Sequence, residues 1–145
     1  MEGYMKRTGT AVWTGTGKDG KGTLSTQSKT LDNVQYSFTS RFENGVGTNP
    51  EELIAAAHAG CFTMALSHIL AGAGFQTKSI NTTATVTMEQ KDNNWTITQV
   101  NLDIHAKVPE VNTATFNNFV NNAKLNCPVS RLLNAPITTT TKLEN

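Results

Sequence analysis

The segment Asn49-Pro50-Glu51-Glu52 opens a helix that limits what the rest of the chain can build. Asn49 is a strong N-cap residue, Pro50 suits the first helical position because its missing N–H would have no partner there, and Glu52 follows the cap by three. From Asn49 to Ala73, the residues Leu53, Ile54, Ala57, Cys61, Ala65, Ile69 and Ala73 recur mostly at intervals of three or four. Ala55, Ala56, Ala57, Ala59 and Gly60 are small enough to admit a second backbone at close range. The pattern predicts one long helix buried nearly all round and ended by Gly72 and Gly74.

Strands flank this helix on both sides. Met5 to Gly15, Gly22 to Ser28 and Val34 to Ser40 are rich in Thr, Val and aromatics, and the glycine-rich stretch 15–22 turns between the first two. That stretch lacks the spacing of a phosphate-binding loop and opens no helix, so it reads as a turn with Lys18 and Lys21 solvated on it. Val34, Tyr36 and Phe38 alternate with Gln35, Ser37 and Thr39, which puts Arg41 on the polar register of a third strand. Further on, Ser79 to Met88 and Trp95 to Val108 read as a hairpin about Lys91-Asp92-Asn93-Asn94. A register slip between Ile97 and Val100 calls for a bulge near Thr98 and Gln99. Asn112 or Thr113 caps a helix with Phe116, Phe119, Val120 and Ala123 on its apolar stripe, Cys127-Pro128 opens a short helical turn through Leu133, and Ile137 to Leu143 is a closing strand. The order of elements is α+β, and 145 residues suit a single domain, 1–145, with roughly 70% of its unfolded surface buried.

Twelve basic against eleven acidic residues leave a net charge of +1, too weak a field to favour nucleic acid or acidic lipid. No uninterrupted apolar run approaches the ~20 residues of a membrane span, and residues 1–16 lack the apolar core of a secretory signal, so the expectation is a cytoplasmic protein without membrane contact. His58, His68 and His105 are dispersed, and His58 with Cys61 is at most half a metal site. No metal or other cofactor is expected. His58 reads as a packing or interface residue.

The two cysteines, Cys61 and Cys127, stand 66 positions apart, which excludes the spacing of thioredoxin-like dithiols and zinc knuckles. As buried small hydrophobes they would be inert, and that bland reading stands beside a reactive one. A reactive Cys61 needs a cation, because a thiol with an ordinary pKa near ~8.5 is mostly protonated at neutral pH. The helix dipole cannot supply it: ten residues at ~1.5 Å rise put Cys61 ~15 Å beyond Glu51 at the positive end. Arg41 is the candidate cation and Glu51 the carboxylate that could hold its guanidinium. The same ~15 Å favours a site completed by a second copy of the helix, packed antiparallel through its small residues. Cys127, ahead of Pro128, can sit at a helix N-terminus where unpaired amides favour a thiolate.

The run of residues 47–62, from Gly47-Thr48-Asn49-Pro50-Glu51-Glu52-Leu53 to Cys61-Phe62, resembles the osmotically inducible protein C (OsmC) family. So do Asn126-Cys127-Pro128-Val129-Ser130, the stretch 36–43 around Arg41, and the opening Gly9-Thr10-Ala11-Val12-Trp13. The resemblance implies an OsmC-like fold, antiparallel curved sheets around two long central helices in an intertwined homodimer with active sites at the interface. It implies a thiol peroxidase that prefers organic hydroperoxides to hydrogen peroxide and is recycled by a dithiol, such as a lipoylated protein or dihydrolipoamide. By the same resemblance Cys61 is the peroxidatic cysteine, Cys127 its resolving partner through an intramolecular disulfide, and Glu51 the carboxylate positioning Arg41. An earlier loop, the source of the arginine in the related organic hydroperoxide resistance branch, offers only Lys18 and Lys21 here, which points to the OsmC branch. The competing expectations are a redox sensor with the same thiols and no turnover, and a structural dimer with inert ones.

Overall fold

Two three-stranded sheets organise the computed structural model, which describes residues 3–145. They fall in two compact units, one ending at Leu53 and the other running Ile54–Asn145.

In the first unit β1 (Gly9–Thr14), β2 (Lys21–Thr26) and β3 (Val34–Tyr36) form an antiparallel meander in that order. Trp13 and Tyr36 meet across β2, ring centroids 5.4 Å apart, over Gly22, where a Cβ would collide with both rings. The third strand is shorter than its alternating sequence predicts. Residues Phe38–Phe42 turn into a short helix, α1, because the Ser37 hydroxyl accepts from the Ser40 amide at 3.2 Å while the Ser40 hydroxyl accepts from the Ser37 amide at 2.8 Å. This reciprocal box gives the backbone local partners that a strand ladder would otherwise supply. Arg41 therefore lies on a helical turn and not on a strand face.

The loop into the long helix is stitched to this turn. Ser40 Oγ donates to the Thr48 carbonyl at 2.7 Å, Asn49 Nδ2 donates to the Ser40 carbonyl at 3.0 Å, and Gly47 adopts φ +114°, where a side chain would meet the Gln35 carbonyl. Helix α2 (Pro50–Gly72) starts as its sequence demands, with Asn49 Oδ1 accepting from the Glu52 amide at 2.8 Å. Thr48 Oγ1 donates to the Glu52 carboxylate at 2.7 Å. The helix ends in a Schellman motif: Gly74 has φ +89°, its amide donates to the Ala71 carbonyl and that of Phe75 to Leu70, each at 3.0 Å.

The second unit builds its sheet from β4 (Ser79–Lys91), β5 (Asn94–Lys107) and β6 (Ile137–Glu144), in that order. Asp92 and Asn93 turn the β4–β5 hairpin at φ 52° and 65°, the left-handed pair of a type I′ turn. The bulge falls where the apolar slip places it: Thr87 pairs with Gln99 and Met88 with Ile97, leaving Thr98 as the extra residue. The expectation of wholly antiparallel sheets is corrected at the last strand, since β6 pairs parallel to β5. Between them run α3 (Thr113–Asn126), capped by Asn112, and α4 (Pro128–Leu132), and a crossover of that length returns the chain to the end where β5 began.

The core of this unit takes Phe62, Leu66 and Leu70 from α2, Val100, Leu102, Ile104 and Ala106 from β5, and Phe116, Val120 and Ala123 from α3, with Cys127 among them. On α2 only His58, Phe62, Leu66 and Leu70 are buried, a single i, i+4 stripe, and Met64 is 69% exposed. All-round burial is thus not achieved within one chain. Although no uninterrupted apolar run approaches a membrane span, α2 is long and apolar enough on average to cross a bilayer by length and composition, with mean hydropathy 1.6 and 22% burial over its most apolar stretch. Its alanines and glycines score as apolar without forming an uninterrupted large-residue run.

Candidate active site

The four residues singled out by sequence form two pairs, one in each unit. In the first, the Arg41 guanidinium engages Glu51 in bidentate fashion, Nε to Oε1 at 3.1 Å and Nη2 to Oε2 at 3.0 Å. The capping box of α1 fixes where Arg41 leaves the backbone, and the capped first turn of α2 fixes Glu51, so the fork closes without a free segment on either side. The Glu51 side chain is 14% exposed against 38% for Arg41, and the Arg41 guanidinium also lies 5.2 Å from the Phe42 ring centroid. Two of the five guanidinium N–H donors are spent on Glu51, which leaves the others for a further anion.

In the second unit the thiols meet. Cys61 Sγ and Cys127 Sγ are 2.9 Å apart, both free, Cys127 fully buried and Cys61 partly so. A disulfide needs about 2.05 Å, so bonding asks less than ~1 Å of approach. Cys127 is the cap position of α4, with Pro128 as the first helical residue.

The pair is electrostatically unequal. Burial pushes the Cys61 thiol up, the contact with Cys127 adds to that, and the Val129 amide pulls weakly the other way. Burial also opposes ionisation of Cys127, but the hydrogen-bonding contact with Cys61, the amide and hydroxyl of Ser130 and the amide of Val129 together hold it below the ordinary thiol value. These amides act as dipoles at the start of α4, short of a full capping hydrogen bond. These influences favour a charge on Cys127 over one on Cys61, while the 2.9 Å contact itself runs from the Cys127 S–H to the Cys61 sulfur.

Sequence reasoning missed one partner of this site. His58, fully buried, has Nε2 2.8 Å from the Ser130 hydroxyl, and burial holds its pKa below the ordinary value. The signal available was the spacing: His58 precedes Cys61 by three, and Ser130 follows Cys127 by three. Among the described residues no cluster of three or more His, Cys, Asp or Glu could hold a metal ion.

Comparison with known proteins places the chain in a family. Residues 42–142 match the model of the OsmC family, described as OsmC-like protein. The chain is 48% identical over 134 residues to the peroxiredoxin OsmC of Escherichia coli, covering 92% of this chain and 94% of that protein, and equally similar to its counterpart in Shigella flexneri. The fold resembles an OsmC-like protein from Vibrio cholerae, TM-score 0.77 at 13% identity over 96% of this chain and all of that one. It also resembles the organic hydroperoxide resistance protein OhrB of Bacillus subtilis, TM-score 0.67 at 19% identity over 94% of this chain and 98% of that one.

Proposed function

Because the chain belongs to the OsmC family, we propose that it reduces organic hydroperoxides to alcohols through Cys61, with Cys127 closing an intramolecular disulfide that an external dithiol reopens. It is a cysteine-based peroxidase. The observation that carries the finer reading is the 2.9 Å contact between two free thiols on separate helical elements.

In the first step the Cys61 thiolate attacks the terminal peroxide oxygen, the O–O bond breaks, Cys61 becomes a sulfenic acid, and the departing alkoxide takes a proton to leave as alcohol. In the second, the Cys127 sulfur attacks the Cys61 sulfur, the S–O bond breaks, and the oxygen leaves as water with the thiol proton. A dithiol of the lipoyl type then reduces the disulfide and is itself oxidised. The first step requires the charge on Cys61, whereas the thiol pair alone prefers it on Cys127. Arg41, held by Glu51, is the group proposed to draw that charge onto Cys61, since its remaining N–H donors suit a thiolate.

The reading treats residues 1–145 as one working domain and the active protein as a cytoplasmic homodimer, intertwined, with two long central helices flanked by curved sheets and active sites at its interface. The exposed apolar face of α2, Met64 included, supports a second copy as its cover.

The test is steady-state consumption of tert-butyl hydroperoxide with dihydrolipoamide as reductant, repeated with cumene hydroperoxide and hydrogen peroxide. Catalytic turnover with a lower KM for the organic substrates is expected. Oxidation of the thiols without turnover would replace the enzyme by a sensor, and equal specificity constants would remove the apolar preference.

A further inference from the structure

Two short contacts join α2 to the start of α4. One is the 2.9 Å approach of Cys61 and Cys127, and the other, three residues along on each side, is the 2.8 Å hydrogen bond between His58 Nε2 and Ser130 Oγ. The second contact is fully polar and shielded from water: His58 is 0% exposed, Ser130 is 8% exposed, and His58 heads the buried helix stripe that continues with Phe62. A buried polar pair in such surroundings is conspicuous because each group alone would be costly to keep from water.

The imidazole assigns the direction of the bond. His58 Nδ1 is buried and has no hydrogen-bond partner. A buried N–H without an acceptor is rarer and costlier than a bare acceptor nitrogen, so the neutral ring carries its proton on Nε2 and donates it to Ser130 Oγ. The Ser130 hydroxyl, already accepting, keeps its own proton free to point elsewhere. It is one of the groups that favour a thiolate at Cys127.

We infer that His58 is a positioning residue for disulfide formation: its Nε2–H···Oγ bond to Ser130 fastens the first turn of α4 to α2, holding Cys127 against Cys61 and turning the Ser130 hydroxyl toward the Cys127 sulfur. The inference rests on the two-cysteine reading above and adds a residue to it. Its consequence is a partition. Once Cys61 is a sulfenic acid, Cys127 can displace its oxygen as water and form the S–S bond. Alternatively, a second hydroperoxide can transfer an oxygen to it, giving Cys61 sulfinic acid and another molecule of alcohol. Holding Cys127 in place favours the first route by raising its effective concentration at the reacting sulfur.

The experiment reads that partition. Reduced protein is exposed to a graded excess of tert-butyl hydroperoxide without reductant, and disulfide and sulfinate at Cys61 are quantified by mass spectrometry of the intact, alkylated chain. For His58→Leu, the hydroperoxide concentration giving half sulfinate should fall several-fold, up to about tenfold, the worth of one buried hydrogen bond between neutral groups. His58→Gln, which keeps an N–H donor near the Nε2 position, should restore most of the wild-type ratio. Ser130→Ala should reproduce the leucine effect, and the double variant His58→Leu/Ser130→Ala should be no worse than either single one, because both remove the same bond. An unchanged ratio in Ser130→Ala, failure of glutamine to rescue, or additive losses in the double variant would overturn the inference while leaving the cysteine roles intact. Absence of any disulfide in the wild-type chain would overturn both.

Discussion

Replacing Cys61 by Ser should reduce hydroperoxide turnover to the uncatalysed background. A serine hydroxyl is not ionised near neutral pH and lacks the polarisable sulfur that accepts the peroxide oxygen, so neither an oxygen acceptor nor a disulfide partner remains. The substitution is sterically mild at a partly exposed helical position, and stability should change by no more than about 1 kcal/mol. The two effects separate cleanly: the variant should melt close to the wild type, yet consume no tert-butyl or cumene hydroperoxide with a dithiol present. Wild-type turnover in Cys61→Ser would remove the assignment of the peroxidatic role.

Cys127→Ser should behave differently. Cys61 retains its sulfur and, on the proposed reading, its cation, so one equivalent of hydroperoxide is consumed in a burst. Without the buried sulfur 2.9 Å away, the sulfenic acid has no internal partner, and turnover stalls or becomes dependent on added thiol. The stoichiometry of the burst, measured by stopped-flow peroxide consumption, and trapping of the sulfenic acid by dimedone are the readouts. Continued turnover at the wild-type rate with the same reductant would show that Cys127 is not the resolving thiol.

Local rules carried most of the elements. The capped start of α2, the left-handed Asp92-Asn93 turn, the Thr98 bulge and the Asn112 cap all rest on short-range chemistry and could be read from neighbouring residues. The end of β3 at Tyr36 escaped because two serines compete with a strand pattern, and such hydroxyl boxes weigh against alternation only when both partners are noticed. The parallel pairing of β6 is a matter of topology, since the strand preference of the threonine run between Ile137 and Leu143 has no sense of direction. At the site, residue types and a resemblance named Arg41, Glu51, Cys61 and Cys127, and the Arg41–Glu51 fork follows from two adjacent capped turns. The acidity order of the thiols was only half legible: Pro128 announced the amides that favour Cys127, but the burial that opposes Cys61 depends on the assembled core. His58 lay hidden for the same reason, as a histidine on an alanine-rich helix looks like packing until Ser130 is placed beside it.

The central claim is that Cys61 and Cys127 form one redox couple within a single chain. The most direct measurement is mass spectrometry of the reduced protein after one equivalent of tert-butyl hydroperoxide, with proteolytic mapping of the linked peptides. The expected result is a loss of two hydrogens and a cross-linked pair containing Cys61 and Cys127 from the same chain. Stable sulfenic or sulfinic acid at Cys61 with Cys127 still alkylatable, or bridges only between chains, would contradict it.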